Sequence, residues 1–355
     1  MATLTETAYY TKRFLAGLVS LIVLLVFFKL SLNYYRAYQA RKIPPTEPTP
    51  TVAFGKLPAL RLPVKTRRTT NFTVGTLDGR IPRMPKMGTI FFIPPRPGFT
   101  FFTKERALSF ARKFGFLQEP IVLSGEEYKW TDAELPQRTF TLNIFTNNFT
   151  LDCNFATDSA VLSNAVPKKN EAETLAKSFL LGKNLLPEDL SKGEITSEYL
   201  IFDGQTLKKA PSFTEANLVQ VDFFQQKIND LPVLTEEYNK GLVSFIISGS
   251  SEEKKKVLKL EYTFWPADLE NSASYPLKTG DEAFEELKAG GGAIVLGGEQ
   301  TEATIRNVYL AYLDTKKYQE FLQPTFVFEG DGGFVAYVAA VKGEWTEPLV
   351  SAIYD

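Results

Sequence analysis

The run Phe14–Phe28 (FLAGLVSLIVLLVFF) carries no charged residue, and its apolar character resumes past Lys29 through Leu32 to Tyr34 and Tyr35. About 20 residues at roughly 1.5 Å each cover the hydrocarbon core of a bilayer, so residues 14–35 are expected to form one transmembrane helix behind a short tail, 1–13. Lys29 can snorkel to the headgroups, and the two tyrosines suit the interfacial belt. A cleaved signal peptide would share the basic Lys12 and Arg13, but this stretch is longer than a signal's apolar region and KLSLNYYRAYQARK offers no small-residue cleavage site. Arg36, Arg41 and Lys42 balance the N-terminal charges, so charge alone leans only slightly towards a cytoplasmic body. Within the span, Ala16 and Ser20 form a small-xxx-small pair of the kind that lets helices approach.

Residues 43–63 hold six prolines and no apolar periodicity. They extend the expected stalk, 36–86, which is basic: from Asn33 to Ile90 eleven Lys/Arg stand against two acids. Lys56, Arg61, Lys65, Arg67 and Arg68 are candidates for contact with anionic headgroups or an anionic envelope polymer. The net charge of -1 therefore averages a basic stretch with an acidic remainder, and it points away from nucleic acid.

The chain has no histidine and a single cysteine, Cys153. That excludes a Ser-His-Asp triad, a Cys-His dyad, a His-ligated zinc and an intrachain disulfide. Carboxylate, lysine, serine or tyrosine chemistry and oxygen-ligated metals survive the exclusion, and no cofactor is implied.

Beyond the stalk, three amphipathic helices each precede strand-like runs. The first follows Thr103, with Ala107, Leu108, Ala111 and Phe114 on one stripe and Gly115 behind it. The second covers 170–181, with Ala172, Leu175, Ala176 and Phe179 on its stripe, Glu173 placed for a capping box and Gly182 after it. The third starts at Thr279 with Glu282 in capping-box position, buries Ala283, Phe284 and Leu287, and stops at Gly290. The first two stripes align in sequence (ALSFARKF with AETLAKSF), a hint of internal duplication. RTFTLNIF and FTLDCNF alternate around an Asn147-Asn148 turn and predict an antiparallel hairpin with Cys153 on the buried face. Further strand-like runs follow the second and third helices, the last two around an Asp331-Gly332 turn. The fold class is therefore α+β: a single N-terminal transmembrane helix, then tandem units of one helix packed on an antiparallel β-sheet, at 87–166, 167–270 and 271–355.

Several segments that suggest chemistry have simpler readings. AGGGAIVLGG follows its helix and lacks the Gly-Lys-Ser/Thr ending of a phosphate loop. EGDGG has too few carboxylates for calcium and reads as a hairpin turn. Glu126/Glu127, Glu252/Glu253 and Glu285/Glu286 are adjacent, so their side chains diverge towards solvent. No catalytic residue is assigned. Neighbouring phenylalanines in a strand cannot all face inward, so some of Phe91, Phe92, Phe101, Phe102, Phe223 and Phe224 are candidate interaction residues.

Two stretches carry a resemblance. VDFFQQKINDLPV from Val221, two strands, Tyr275-Pro276-Leu277-Lys278 and the helix DEAFEELKAG resemble the YycH/YycI-type extracytoplasmic regulatory proteins, related in style to PepSY-like domains. The closing strands, from Val308-Tyr309-Leu310-Ala311-Tyr312 to Phe334-Val335-Ala336-Tyr337, look like the C-terminal sheet of the same group, and the resemblance covers roughly residues 195–341. It implies a bacterial cell-membrane protein with its body outside the cytoplasm, accessory to a sensor kinase, and no catalytic residues. The leading expectation is a non-enzymatic envelope regulator or scaffold whose partners are the bilayer and a membrane or envelope protein. A PepSY-like inhibitor or chaperone of an envelope protease, a structural component binding anionic polymer, and a hydrolase using serine, lysine or carboxylates remain as alternatives.

Overall fold

The computed structural model of the chain describes residues 4–42, 49–63, 69, 71–96, 100–156 and 158–348. It contains two compact units, residues 1–49 and 50–355. The first is the helix Leu4–Lys42, 39 residues long, within which Lys12–Arg36 is long and apolar enough to cross a membrane. Ser20 is exposed on it, whereas the side chain of Ala16 lies outside the described ones.

In the second unit, nine strands form one antiparallel sheet. In spatial order they are Ile121–Val122, Glu127–Thr131, Arg138–Asn143, Phe149–Cys153, Val257–Tyr262, Val243–Ile247, Leu218–Phe223, Ile195–Phe202 and Leu207–Lys209. The alternation in RTFTLN is realised: Phe140 and Leu142 are buried, opposite Leu151 and Phe149. Asn147 takes a left-handed φ of 59° at the turn. Cys153 is buried as expected but joins a cluster with Leu218, Ile246 and Leu258 instead of the one containing Phe149 and Leu151. Burial pushes its thiol pKa up, which suits a packing role.

The strands of 87–166 and 167–270 do not make separate sheets. Phe149–Cys153 pairs with Val257–Tyr262, setting Leu151 opposite Leu260 and Phe149 opposite Tyr262, whose rings stack at 5.1 Å. An apolar-faced strand left at a sheet edge is a template for pairing, and the second unit supplies the partner. Both helices, Thr103–Arg112 and Lys169–Gly182, then cover one face of the joined sheet. Ala107, Ala111, Ala172, Ala176 and Leu180 are each no more than 3% exposed, and the small size of the four alanines brings the helices close to the strands.

The second sheet is built on the long strand Glu302–Asp314, followed by Phe321–Gly330 and Phe334–Ala339, with Ala293–Leu296 at the edge. The expected Asp331-Gly332 turn is a short 3₁₀ turn in which Gly332 has φ 68°. Helix Gly280–Ala289 packs on it through Ala283, Phe284 and Leu287, with Phe284 and Phe328 at 6.1 Å. Met87–Phe92 and Asp268–Pro276 pair with each other, and Met87–Phe92 also pairs with Phe321–Gly330. Two short strands run parallel to Glu302–Asp314, an addition to the antiparallel pattern: Asn71–Val74 and Val233–Thr235.

The expected stalk, 36–86, is corrected at residues 50–62 and 71–86. Leu57 is 0% and Leu60 4% exposed, the Leu57 amide donates to the Trp345 carbonyl at 2.8 Å, and Tyr275 Oη donates to the Gly55 carbonyl at 2.9 Å. Prolines forbid helix and interior strand, but they do not prevent interspersed leucines from lying in an apolar groove in irregular conformation. Lys56 and Arg61 are exposed, while Lys65, Arg67 and Arg68 lie outside the described residues.

Candidate functional site

Alternation along two neighbouring strands builds the floor of a groove. Val219, Val221 and Phe223 of Leu218–Phe223 turn inward under the helices, which leaves Gln220 and Asp222 on the opposite face. Across the ladder, Gln220 pairs with Glu198 and Asp222 with Thr196 of Ile195–Phe202. These four side chains line a groove of about 890 Å³, walled by the chain from Phe224 onward as it leaves the first sheet and by Leu234 and Tyr238.

Two glycines hold that exit in place. A Cβ on Gly193 would stand 1.8 Å from the Phe224 carbonyl oxygen, and one on Gly241 would stand 2.4 Å from that of Phe223, so only glycine permits these backbone approaches. The Phe224 amide donates to the Glu194 carbonyl at 2.9 Å, and the Gly241 amide donates to Asp222 Oδ1 at 3.1 Å. Burial raises the Asp222 pKa, and this outweighs the lowering by hydrogen bonds from Gln220, Ser244 and the Gly241 amide.

The exit segment ties the two sheets together. Gln225 Nε2 donates to Asp314 Oδ2 at 2.6 Å, and the following residues reach Val233–Thr235, which lies parallel to Tyr312–Asp314. Burial pushes the Asp314 carboxyl up to about 7. Behind the groove-lining Tyr238, its Oη and Tyr309 Oη both donate to Glu329 Oε1, at 2.5 and 2.7 Å, and Asn307 Nδ2 donates to Oε2 at 3.1 Å. Burial raises the Glu329 pKa, but these three donors more than offset it and hold the carboxylate below its usual range. Burial also raises both tyrosine pKa values. A second groove of about 590 Å³ shares Lys227 and Pro232 with the first and is lined by Met84, Met87, Tyr309 and Leu310.

Of the phenylalanines singled out from sequence, only Phe224 lines the larger groove. Phe91 and Phe223 are core residues, and Phe92 is half-buried against Phe321 at 6.0 Å. Phe101 and Phe102 are exposed. Two of the three acidic pairs meet lysines: Glu252 with Lys255, Glu253 with Lys256, Glu285 with Lys288 and Glu286 with Lys278, at 2.6 to 3.2 Å; in the other, Glu126 Oε2 accepts from Asn143 Nδ2 at 3.3 Å. Thr196, Gln220, Asp222, Tyr238 and Glu329 escaped sequence reasoning. The alternation in LVQVDF is the signal that could have placed Gln220 and Asp222 on a polar face, but nothing local marks Tyr238. Among the described residues no group of three or more acidic or cysteine side chains is placed to hold a metal ion.

No family model matches the chain, and no curated protein matches it in sequence. Among solved structures it is similar to an uncharacterized protein from Eubacterium rectale ATCC 33656, at 13% identity over 73% of this chain and 85% of that one, with a TM-score of 0.39. It is also similar to the C-terminal domain of Bacillus megaterium YpeB, at 13% identity over 70% of this chain and 95% of that one, with a TM-score of 0.27. Likenesses this loose carry no activity, ligand or partner across to this chain.

Proposed function

We propose that the protein is a single-pass, non-enzymatic scaffold or regulator of the cell envelope, with its body outside the cytoplasm, which receives an extended segment of a membrane partner in the larger groove. The observation that carries this is the groove's construction. Its floor is the polar face of two paired strands, and its wall is the segment that bonds onward to Asp314 of the second sheet, so an occupant would touch both sheets at once. A floor of hydroxyl, amide and carboxylate groups suits the alternating donors and acceptors of an extended peptide. A sensor kinase is the partner implied by the resemblance to YycH/YycI-type proteins.

The test is photo-crosslinking from position 220 or 196 of the full-length chain in its native membrane. Capture of a sensor kinase, reduced by Glu198→Arg on the groove floor opposite Gln220, is the expected result. Crosslinks to no membrane protein, or capture unchanged by Glu198→Arg, would overturn the proposal.

A further inference from the structure

The two helices on the first sheet lie side by side, and their C-terminal ends meet where the Phe114 and Phe179 rings are 6.2 Å apart. Their alanine stripes face the strands, which leaves Arg106, Arg112, Lys168, Lys169 and Lys177 exposed on the outer side. Over residues 103–113 and 168–183 eight Lys/Arg stand against three acids, in a chain whose net charge is -1. This layer is a basic face on an otherwise acidic body.

At the N-terminal end of the first helix, Phe101 is 87% and Phe102 64% exposed, with their rings edge-to-face at 5.3 Å. A closed turn keeps them there. The Thr100 amide donates to Thr103 Oγ1 at 2.8 Å, the Thr103 amide donates to the Thr100 carbonyl at 3.0 Å, and Arg106 Nη2 donates to Thr100 Oγ1 at 3.0 Å. Thr103 itself is 1% exposed, so the turn is anchored in the fold. Two aromatic rings held in water beside a basic helical face match the chemistry of a surface that lies on anionic lipid. Cationic side chains meet phosphates there, and aromatic rings enter the boundary between headgroups and acyl chains.

We propose that this two-helix face docks on an anionic membrane surface, with the Phe101–Phe102 pair as its inserting tip. The chain carries its own helix apolar enough to cross a bilayer, and tethering raises the effective concentration of headgroups around the body, so even a weak docking face is occupied. The proposal is independent of the groove, because neither phenylalanine lines it.

The test uses the full-length chain in vesicles of phosphatidylcholine, with or without phosphatidylglycerol, containing lipids brominated on their acyl chains. The emission added by Phe101→Trp, relative to the parent chain with its own three tryptophans, is the signal. In anionic vesicles it is expected to shift to the blue and be quenched. Most of that quenching should be lost at about 1 M salt, where screening acts within about 3 Å, and in Arg112→Glu/Lys168→Glu/Lys177→Glu. All four positions are exposed, and near-ultraviolet circular dichroism checks that the fold is intact. Water-like emission in both kinds of vesicle would overturn the proposal. So would quenching that is equal in uncharged vesicles and indifferent to charge reversal, or protection that arises only when a membrane protein is added.

Discussion

Lys113 and Lys183 each reach the other's backbone: Lys183 Nζ donates to the Lys113 carbonyl at 3.0 Å, and Lys113 Nζ donates to the Lys183 carbonyl at 3.5 Å. Each lysine caps the C-terminal end of one helix on the first sheet, where the helix dipole is negative, so two ends that would repel are clamped by exchanged cations. The ammonium of Lys183 also sits 4.6 Å from the centroid of the Phe179 ring and 5.1 Å from that of Phe114. The two helices of the first sheet are joined at this point.

The two lysines are not equivalent, because 3.5 Å is the outer limit of a hydrogen bond and 3.0 Å is a good one. Lys183→Ala is expected to destabilise the fold by about 1–2 kcal/mol, the solvent-screened loss of a charged hydrogen bond and a cation–π contact at a half-buried site, and Lys113→Ala by less. Thermal unfolding of the full-length variants gives the ranking, and an equal loss in both would contradict it.

Asp314 makes stability fall with rising pH. Its carboxyl is raised from 3.8 to about 7 in the fold, so the folded state holds a proton that the unfolded state releases. The neutral form leaves stability untouched below about pH 4. The cost grows as pH rises through the folded value and is complete above it, reaching about 4 kcal/mol for about three pKa units. Asp314→Asn keeps an acceptor for Gln225 and carries no charge. It should raise the melting temperature at pH 8 and change it little at pH 4, and a gain that does not vary with pH would refute this.

Gly193→Ala places a methyl group where the Phe224 carbonyl oxygen now stands 1.8 Å from the ideal Cβ position. Backbone must move to admit it, which costs on the order of 1–3 kcal/mol and displaces the groove wall. The variant should lose stability and also lose crosslinking from position 220. Retained crosslinking at unchanged stability would show that the wall is not built on this approach.

Helix Gly280–Ala289 is capped at both ends. The Thr279 amide donates to Glu282 Oε2 at 2.6 Å, the Glu282 amide donates to Thr279 Oγ1 at 3.2 Å, and Gly290 takes φ 95° behind the last turn. Thr279→Ala is expected to cost about 1 kcal/mol, and Gly290→Ala about 1–2 kcal/mol because an L side chain is strained there. Being at opposite ends, the two should add in a double variant. Strong non-additivity in unfolding measurements would show that the ends are coupled.

This third helix was fully legible in the sequence, since each of its signals acts within four residues. The second was legible in its stripe but not in its cap. Glu171, not Glu173, accepts from the Lys168 amide at 3.1 Å, while Glu173 accepts from Ser197 Oγ on the strand beneath at 2.5 Å. The composition of 43–63 suggested an extended stalk because proline content reports only which local conformations are barred. It says nothing of whether Leu57 will find an apolar cleft.

From sequence alone follow the apolar N-terminal helix, the three amphipathic helices with their buried stripes, the caps of the third, and the alternation that buries Phe140 and Leu142. These depend on side-chain period and on contacts between near neighbours along the chain. Tertiary structure decided the rest. It fused Phe149–Cys153 to Val257–Tyr262 and drew Gly55 to Tyr275 across 220 residues. It also brought Tyr238 and Tyr309 onto the carboxylate of Glu329. Such pairings are set by the fit of whole faces against one another, and no short stretch of sequence contains both faces.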